Sequence, residues 1–254
     1  MKIPQNILGS ATFTGESYFG HRTRLYQLDL HRNPENIAKL ILKAYDVGVK
    51  GINLVNDEAL LKGWEIACDN GCKMDIIATI GKREVDYLNP DYEIAKKVDY
   101  LEDIEIFDSL SSKVMLVDEF ITDSYDWLLI EKILEEINKV SLSGIITSFP
   151  FKSTREILNS DFRKDLFDFY MIPINQLGYM MDSPSFLKEE REDLRILLEK
   201  LNKKIIASKV LAAGIIMPSE AFSFLEKIDY IDTVTIGAAN ENEIEEDFKK
   251  LFEK

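Results

Sequence analysis

The chain has little with which to build covalent or metal crosslinks. Its 254 residues include two cysteines, Cys68 and Cys72, and two histidines, His21 and His31. Secreted disulfide frameworks use more cysteine, so a reducing cytoplasm is the expected setting. CDNGC spaces the cysteines four apart with no further ligands nearby, and no metal site is expected. Positive charge is also scarce: 31 Lys and Arg face 45 Asp and Glu, a formal net charge of −14. Nucleic acid and anionic membrane surfaces both need cations, so neither is an expected partner. No apolar run approaches the ~18 residues of a membrane span. MKIPQNILG has no apolar stretch of the kind a signal peptide carries.

What is present is apolar material, 46% of the chain, set out in short runs. Eight of them read as strands: NILGSATF, GINLV, MDIIATI, VMLVD, GIITS, FYMIPIN, KIIASKV and DTVTIG. Their apolar residues do not alternate with polar ones, which suits a sheet buried on both faces. Helical patterns fill the gaps. PENIAKLILKAYDVG has Pro34 early and Gly48 as a stop. DSYDWLLIEKILEEINKV begins at Asp123, and SPSFLKEEREDLRILLEKLNKK at a Ser cap followed by Pro184. MPSEAFSFLEKI and NENEIEEDFKKLFEK follow, and Asp91 to Leu110 reads as one acidic helix. Strands alternating with helices over this length predict a single-domain α/β fold across 1–254, a (β/α)₈ TIM barrel, with a doubly wound open sheet as the alternative that eight βα steps in this length suit less well. An extended loop at about 14–33 interrupts the rhythm. It holds both histidines, and in a barrel it would lie at the face that carries chemistry.

The order of these segments resembles the aldo-keto reductase family. LKAYDVGVKGINLVND is similar to that family's helix and strand "Leu-Glu-Leu-Gly-Ile-Asn-Phe-Phe-Asp-Thr-Ala". LSGIITSFPFKSTREIL is similar to its "Ile-Gly-Val-Ser-Asn-Phe" strand, and FYMIPINQLGYMMD to its "Val-Asn-Gln-Val-Glu-Tyr-Asn" strand. KIIASKVLAAGIIMPSEAFSFLEKIDYIDTVTIGAANENEIEEDFKKL resembles the family's C-terminal third. The resemblance implies a barrel that binds NADPH and reduces carbonyls through an Asp, Tyr, Lys and His tetrad. Residue by residue, that tetrad is not here. Asn56 stands where the Asp ends the second strand, and NDEALLKGWEI holds no Tyr. Ile80 occupies the Lys position and Asp118 the His position. The resemblance thus places Asp118 at the barrel mouth. It also implies cofactor contacts at Asn175, Gln176, Gly237, Ala239 and Asn240. GAANENEIEED there offers four glutamates and no cation for a 2′-phosphate, so NADP(H) or NAD(H) binding is in doubt.

Other groups could carry chemistry at the strand ends. Strand residues two apart share a face, so if position 80 faces the mouth, Lys82 does as well. Lys209 is a second candidate cation, expected to pair with Asp118. Asn56, Asp118, Lys82 and Lys209 are therefore the candidate catalytic groups. His21, Arg22, Glu119 and Ser148 are candidate contacts to substrate. Several functions stay open. The chain could be a barrel that has lost NADPH-dependent reduction and binds a small molecule or nucleotide. It could be an oxidoreductase with rearranged acid and base residues, or a lyase working through a lysine Schiff base. It could also be a noncatalytic partner subunit, with a protein partner or a homo-oligomer as its working state.

Overall fold

The structure, a computed structural model, describes residues 2–83, 87, 89–183 and 185–252. Eight strands close into a barrel in chain order. They are β1 (Asn6–Leu8), β2 (Gly51–Val55), β3 (Asp75–Ile80), β4 (Val114–Val117), β5 (Leu142–Ile146), β6 (Phe169–Pro173), β7 (Lys204–Ser208) and β8 (Thr233–Ile236). Every neighbouring pair is parallel, including β1 with β8, as in the register Leu8↔Ile236. The TIM barrel expected from the sequence is the one observed.

Two apolar layers hold it. Ile7, Ile77, Val114, Leu116, Phe169, Met171 and Ile206 point into the barrel and fill its lower half. The alternate residues, such as Ile76, Ala78, Ile80, Met115 and Val117, point outward into the larger core under the helices. That strict alternation decides which strand-end groups can reach the barrel mouth.

The helices differ from the sequence reading in three places. The segment expected as a loop at 14–33 is mostly helical, with Ala11–Thr14, Ser17–Phe19 and His21–Asp29. Gly15 (φ 68°) and Gly20 (φ 61°) make the left-handed breaks between these pieces. The acidic helix is two, Tyr92–Ala95 and Tyr100–Ser109, because Asp91 and Asp99 each cap a new start. The helix expected from Ser183 begins only at Lys188, and Pro184 lies outside the described residues. Among the described residues no helix is long and apolar enough to cross a membrane.

Gly144 marks the tightest point of the inner layer. A Cβ there would overlap Leu116 Cδ2 and lie 2.5 Å from the Phe169 carbonyl oxygen. Gly144→Ala should therefore overpack the barrel, costing ~1–3 kcal/mol. A lowered midpoint in urea unfolding checks this, and an unchanged midpoint would mean the strands can spread.

Candidate functional site

A cavity of about 330 Å³ opens at the C-terminal end of the strands. Its floor is polar. Asn53 and Thr79 continue the inward rows of β2 and β3, and the Asn53 amide donates to the Ile77 carbonyl (2.9 Å) and to Thr79 Oγ1 (3.1 Å). The Ser10 hydroxyl in turn donates to Asn53 Oδ1 (3.1 Å). Above this floor stand Glu16, Lys82, Asp118, Glu119 and Lys209, walled by Tyr18, Phe19, Tyr26 and Tyr87.

Asp118 reaches the cavity by strand parity. Leu116 points inward, so the residue two further on does too. The carboxylate is 2% exposed. One oxygen accepts the Phe120 backbone N–H (3.0 Å). Among the described residues nothing hydrogen-bonds the other. Burial pushes its pKa up to about 7, with the Lys82 ammonium opposing and Glu119 adding to the rise.

The two lysines arrive differently. Position 80 faces outward into the helix core, so parity from Ile80 would send Lys82 away from the mouth. Gly81 intervenes at φ 84° and turns the chain inward. Its missing Cβ leaves room for Ile121, which a side chain there would strike. Lys209 follows the end of β7 and itself sits at φ 54°, a conformation that costs a non-glycine residue energy and gathers at functional sites. In both cases a left-handed residue, not the strand pattern, delivers the ammonium.

Glu119 gathers these groups. Lys209 Nζ donates to its Oε2 (2.8 Å), Ser148 donates to the same oxygen, and the Tyr87 hydroxyl donates to Oε1 (2.7 Å). Lys209 thus pairs with Glu119, not with Asp118 as the sequence suggested. Burial alone would raise the Glu119 pKa, but Lys209 and Lys82, with the hydrogen bonds, hold it down at about 2. Ser148 is fixed from behind: Asp123 accepts its backbone N–H (2.9 Å) and the hydroxyls of Thr147 and Ser153. Lys82 ion-pairs with Glu16 (3.4 Å) and donates to the Tyr87 hydroxyl (3.0 Å). Burial disfavours its ammonium, yet Glu16, Asp118 and Glu119 outweigh that and raise its pKa. The phenol of Tyr87 is held protonated by burial and by Glu119. Tyr18, half-buried beside it, has a free hydroxyl among the described residues and is likewise held protonated by burial and Glu16.

The remaining sequence candidates lie elsewhere. Asn56 points outward by parity and donates to buried Asp103 (2.7 Å), which also accepts the Gly81 N–H (2.7 Å). It braces the turn that aims Lys82. Arg22 lines the cavity, while His21 is exposed on the outer side of its helix. Glu16, Tyr18, Tyr87 and Asn53 were not singled out from sequence. Parity from Val55 would have found Asn53, and nothing local marks Tyr87.

The cofactor candidates do not converge on the cavity. The Asn175 amide donates to the Tyr179 and Lys209 carbonyls, and its oxygen accepts the N–H groups of Leu177 and Tyr179, so it staples its own loop. Gln176 donates to Glu220 at the surface (2.6 Å). Only Gly237 lines the cavity. At the start of helix Glu241–Phe252, Asn240 caps the Glu243 N–H (3.0 Å), and the Glu243 carboxylate accepts the Ala239 N–H (2.8 Å). This reciprocal cap occupies a donor that a phosphate would use. With Glu246 and Asp247 on the same wall, the residues present do not fit a nicotinamide dinucleotide.

Asp118 gives the fold a pH dependence of definite sign. Its folded pKa of about 7 lies above the ordinary 3.8, so its stability contribution is complete below pH ~4 and lost as pH rises through 7. Asp118→Asn should raise stability at pH 8 by roughly 1–4 kcal/mol and by little at pH 4. Thermal melts across that range check it; a gain that is equal at both pH values would remove the buried charge as its cause.

No family model matches the sequence, and no curated protein matches it. Solved structures do match. A glycerol dehydrogenase from Gluconobacter oxydans aligns over 98% of this chain and 86% of its own, at 14% identity and TM-score 0.56. An aldo/keto reductase from Brucella melitensis aligns over 97% and 88%, at 14% identity and TM-score 0.56. One from Klebsiella pneumoniae, solved with NADP and acetate, aligns over 98% and 86%, at 10% identity and TM-score 0.58. The barrel shares the fold of these aldo-keto reductases.

Proposed function

We propose that this chain is a divergent member of the aldo-keto reductase superfamily. In this reading it has given up NADPH-dependent carbonyl reduction, binds a small molecule at the barrel mouth, and acts on it by proton transfer. The observation that carries this is Asp118, buried in the cavity wall with one oxygen unpartnered among the described residues and a pKa near neutrality. A general base works best when its pKa lies near the working pH.

The matching electrophile is Lys82. A substrate carbonyl between the two would lose a proton from its α-carbon to the Asp118 carboxylate. The C–H electron pair would pass to the carbonyl oxygen, where the Lys82 ammonium and the Tyr18 hydroxyl offset the new charge. Return of a proton to the same carbon completes an exchange; return to the former carbonyl carbon of an α-hydroxy carbonyl, with the hydroxyl proton passing to the first oxygen, completes an isomerisation. Glu119 stays ionised and, bonded to Lys209, holds the frame. A Schiff-base role suits neither lysine, since an amine nucleophile must be uncharged. Lys82 is held as ammonium by three carboxylates, and Lys209 is bonded to Glu119.

The test is solvent deuterium incorporation into small aldehydes and α-hydroxy ketones, followed by NMR. Wild type should catalyse exchange, and Asp118→Asn should slow it ~100-fold or more. NADPH should give neither a thermal shift nor oxidation with the same carbonyls, and borohydride should trap no carbonyl on Lys82 or Lys209. Cofactor consumption without exchange would return the chain to the reductases.

A further inference from the structure

The cavity has a second pole. Past Lys209 it runs between Leu211, Ile216, Met217 and Pro218 to the helix Glu241–Phe252. That helix turns Glu243, Glu246 and Asp247 to the cavity, residues three and four apart and so on one face. Glu243 is engaged with the Ala239 N–H. Asp247 is not engaged. It is 4% exposed, and among the described residues no hydrogen bond or ion pair reaches its carboxylate. Burial, with Glu243 beside it, pushes its pKa up to about 6, and Lys250 only partly offsets this.

A buried carboxylate without a partner is expensive to keep. Arg22, a cation lining this arm, does not supply the partner. It lays its guanidinium over Gly214, where a Cβ would collide with it, beside Tyr26. Among the described residues it forms no ion pair. A metal ion is not the natural occupant either, since no three acidic, His or Cys side chains among the described residues converge as ligands. Leu211, Ile216 and Pro218 also line the cavity and offer an apolar surface to an alkyl chain.

We propose that this arm receives the protonated amine or guanidinium end of an alkyl ligand, with Asp247 as its counter-ion. The ligand's other end then lies at Asp118 and Lys82. The assignment rests on the reading of the cavity as a small-molecule site and adds the chemical class of the molecule. A charge-assisted contact to a carboxylate discriminates against neutral isosteres.

Calorimetry on the full chain with 1,4-diaminobutane, butylguanidine, 1,4-butanediol and butyrate tests it. The two cationic probes should bind, and the diol and the acid should not. Asp247→Asn should weaken the cationic probes tenfold or more, as should a rise in salt from 50 to 500 mM. Glu245→Gln, on the outer face of the same helix where it pairs with Lys43, should change nothing. Equal binding of diamine and diol would overturn the inference, as would unchanged affinity in Asp247→Asn or preferential binding of calcium or magnesium. The outcomes separate from those for proton transfer. Amine selectivity without Asp118-dependent exchange rejects only the acid–base reading. Exchange without amine selectivity rejects only the assignment of the acidic arm.

Discussion

The ion pair between Lys209 and Glu119 is closed off at the barrel mouth, and most of the site's geometry follows from it. Glu119 is 6% exposed and keeps its charge, which in a site with little water requires full compensation. It takes that compensation from Lys209, the Tyr87 phenol and the Ser148 hydroxyl at once. Each donor is then fixed in turn: Lys209 by a left-handed backbone, Ser148 by Asp123, Tyr87 by Lys82. Removing one partner from such a pair typically costs ~3–5 kcal/mol, because the other charge is left buried alone. The arrangement is bought with strain at Lys209. One consequence falls on the neighbour: burial already favours the protonated form of Asp118, and the charge held by Glu119 beside it adds to that penalty, so its proton is retained toward neutrality.

At the positions where the resembling reductases keep their tetrad, this chain has residues with other contacts. Asn56 holds Asp103 outside the barrel, Ile80 packs under the helices, and Asp118 faces the cavity. A lysine and a tyrosine do meet at 3.0 Å, but both come from the turn after β3. This phenol already gives its proton to Glu119, and burial holds it there. A pair of the same residue types therefore has different electrostatics, because the carboxylate it faces is ionised and close.

The barrel was legible in the sequence because its evidence is periodic. Eight apolar runs at barrel spacing leave little choice of architecture, and two-residue parity from Leu116 aims Asp118 correctly. Strand parity is the wrong reason for Lys82, while Lys209 does follow the end of β7. Parity would have pointed both outward, and only the positive φ at Gly81 and Lys209 brings them in, which no local composition announces for a lysine. Asn175 and Gln176 were named as cofactor contacts because amides could hold a ring; their amides are instead spent on a loop and on Glu220. Tyr87 and Glu16 were missed because their partners lie on other elements, and such meetings are written only in three dimensions.

The reciprocal cap at Asn240 and Glu243 has a wider meaning for the last quarter of the chain. Many helices that greet phosphate at their N-termini leave amide groups open, and their final geometry is completed by the guest. Here the helix carries its own anion on its third residue, covalently tethered and always at hand. The turn that carries the chain from β8 into that helix is therefore closed by side chains of its own.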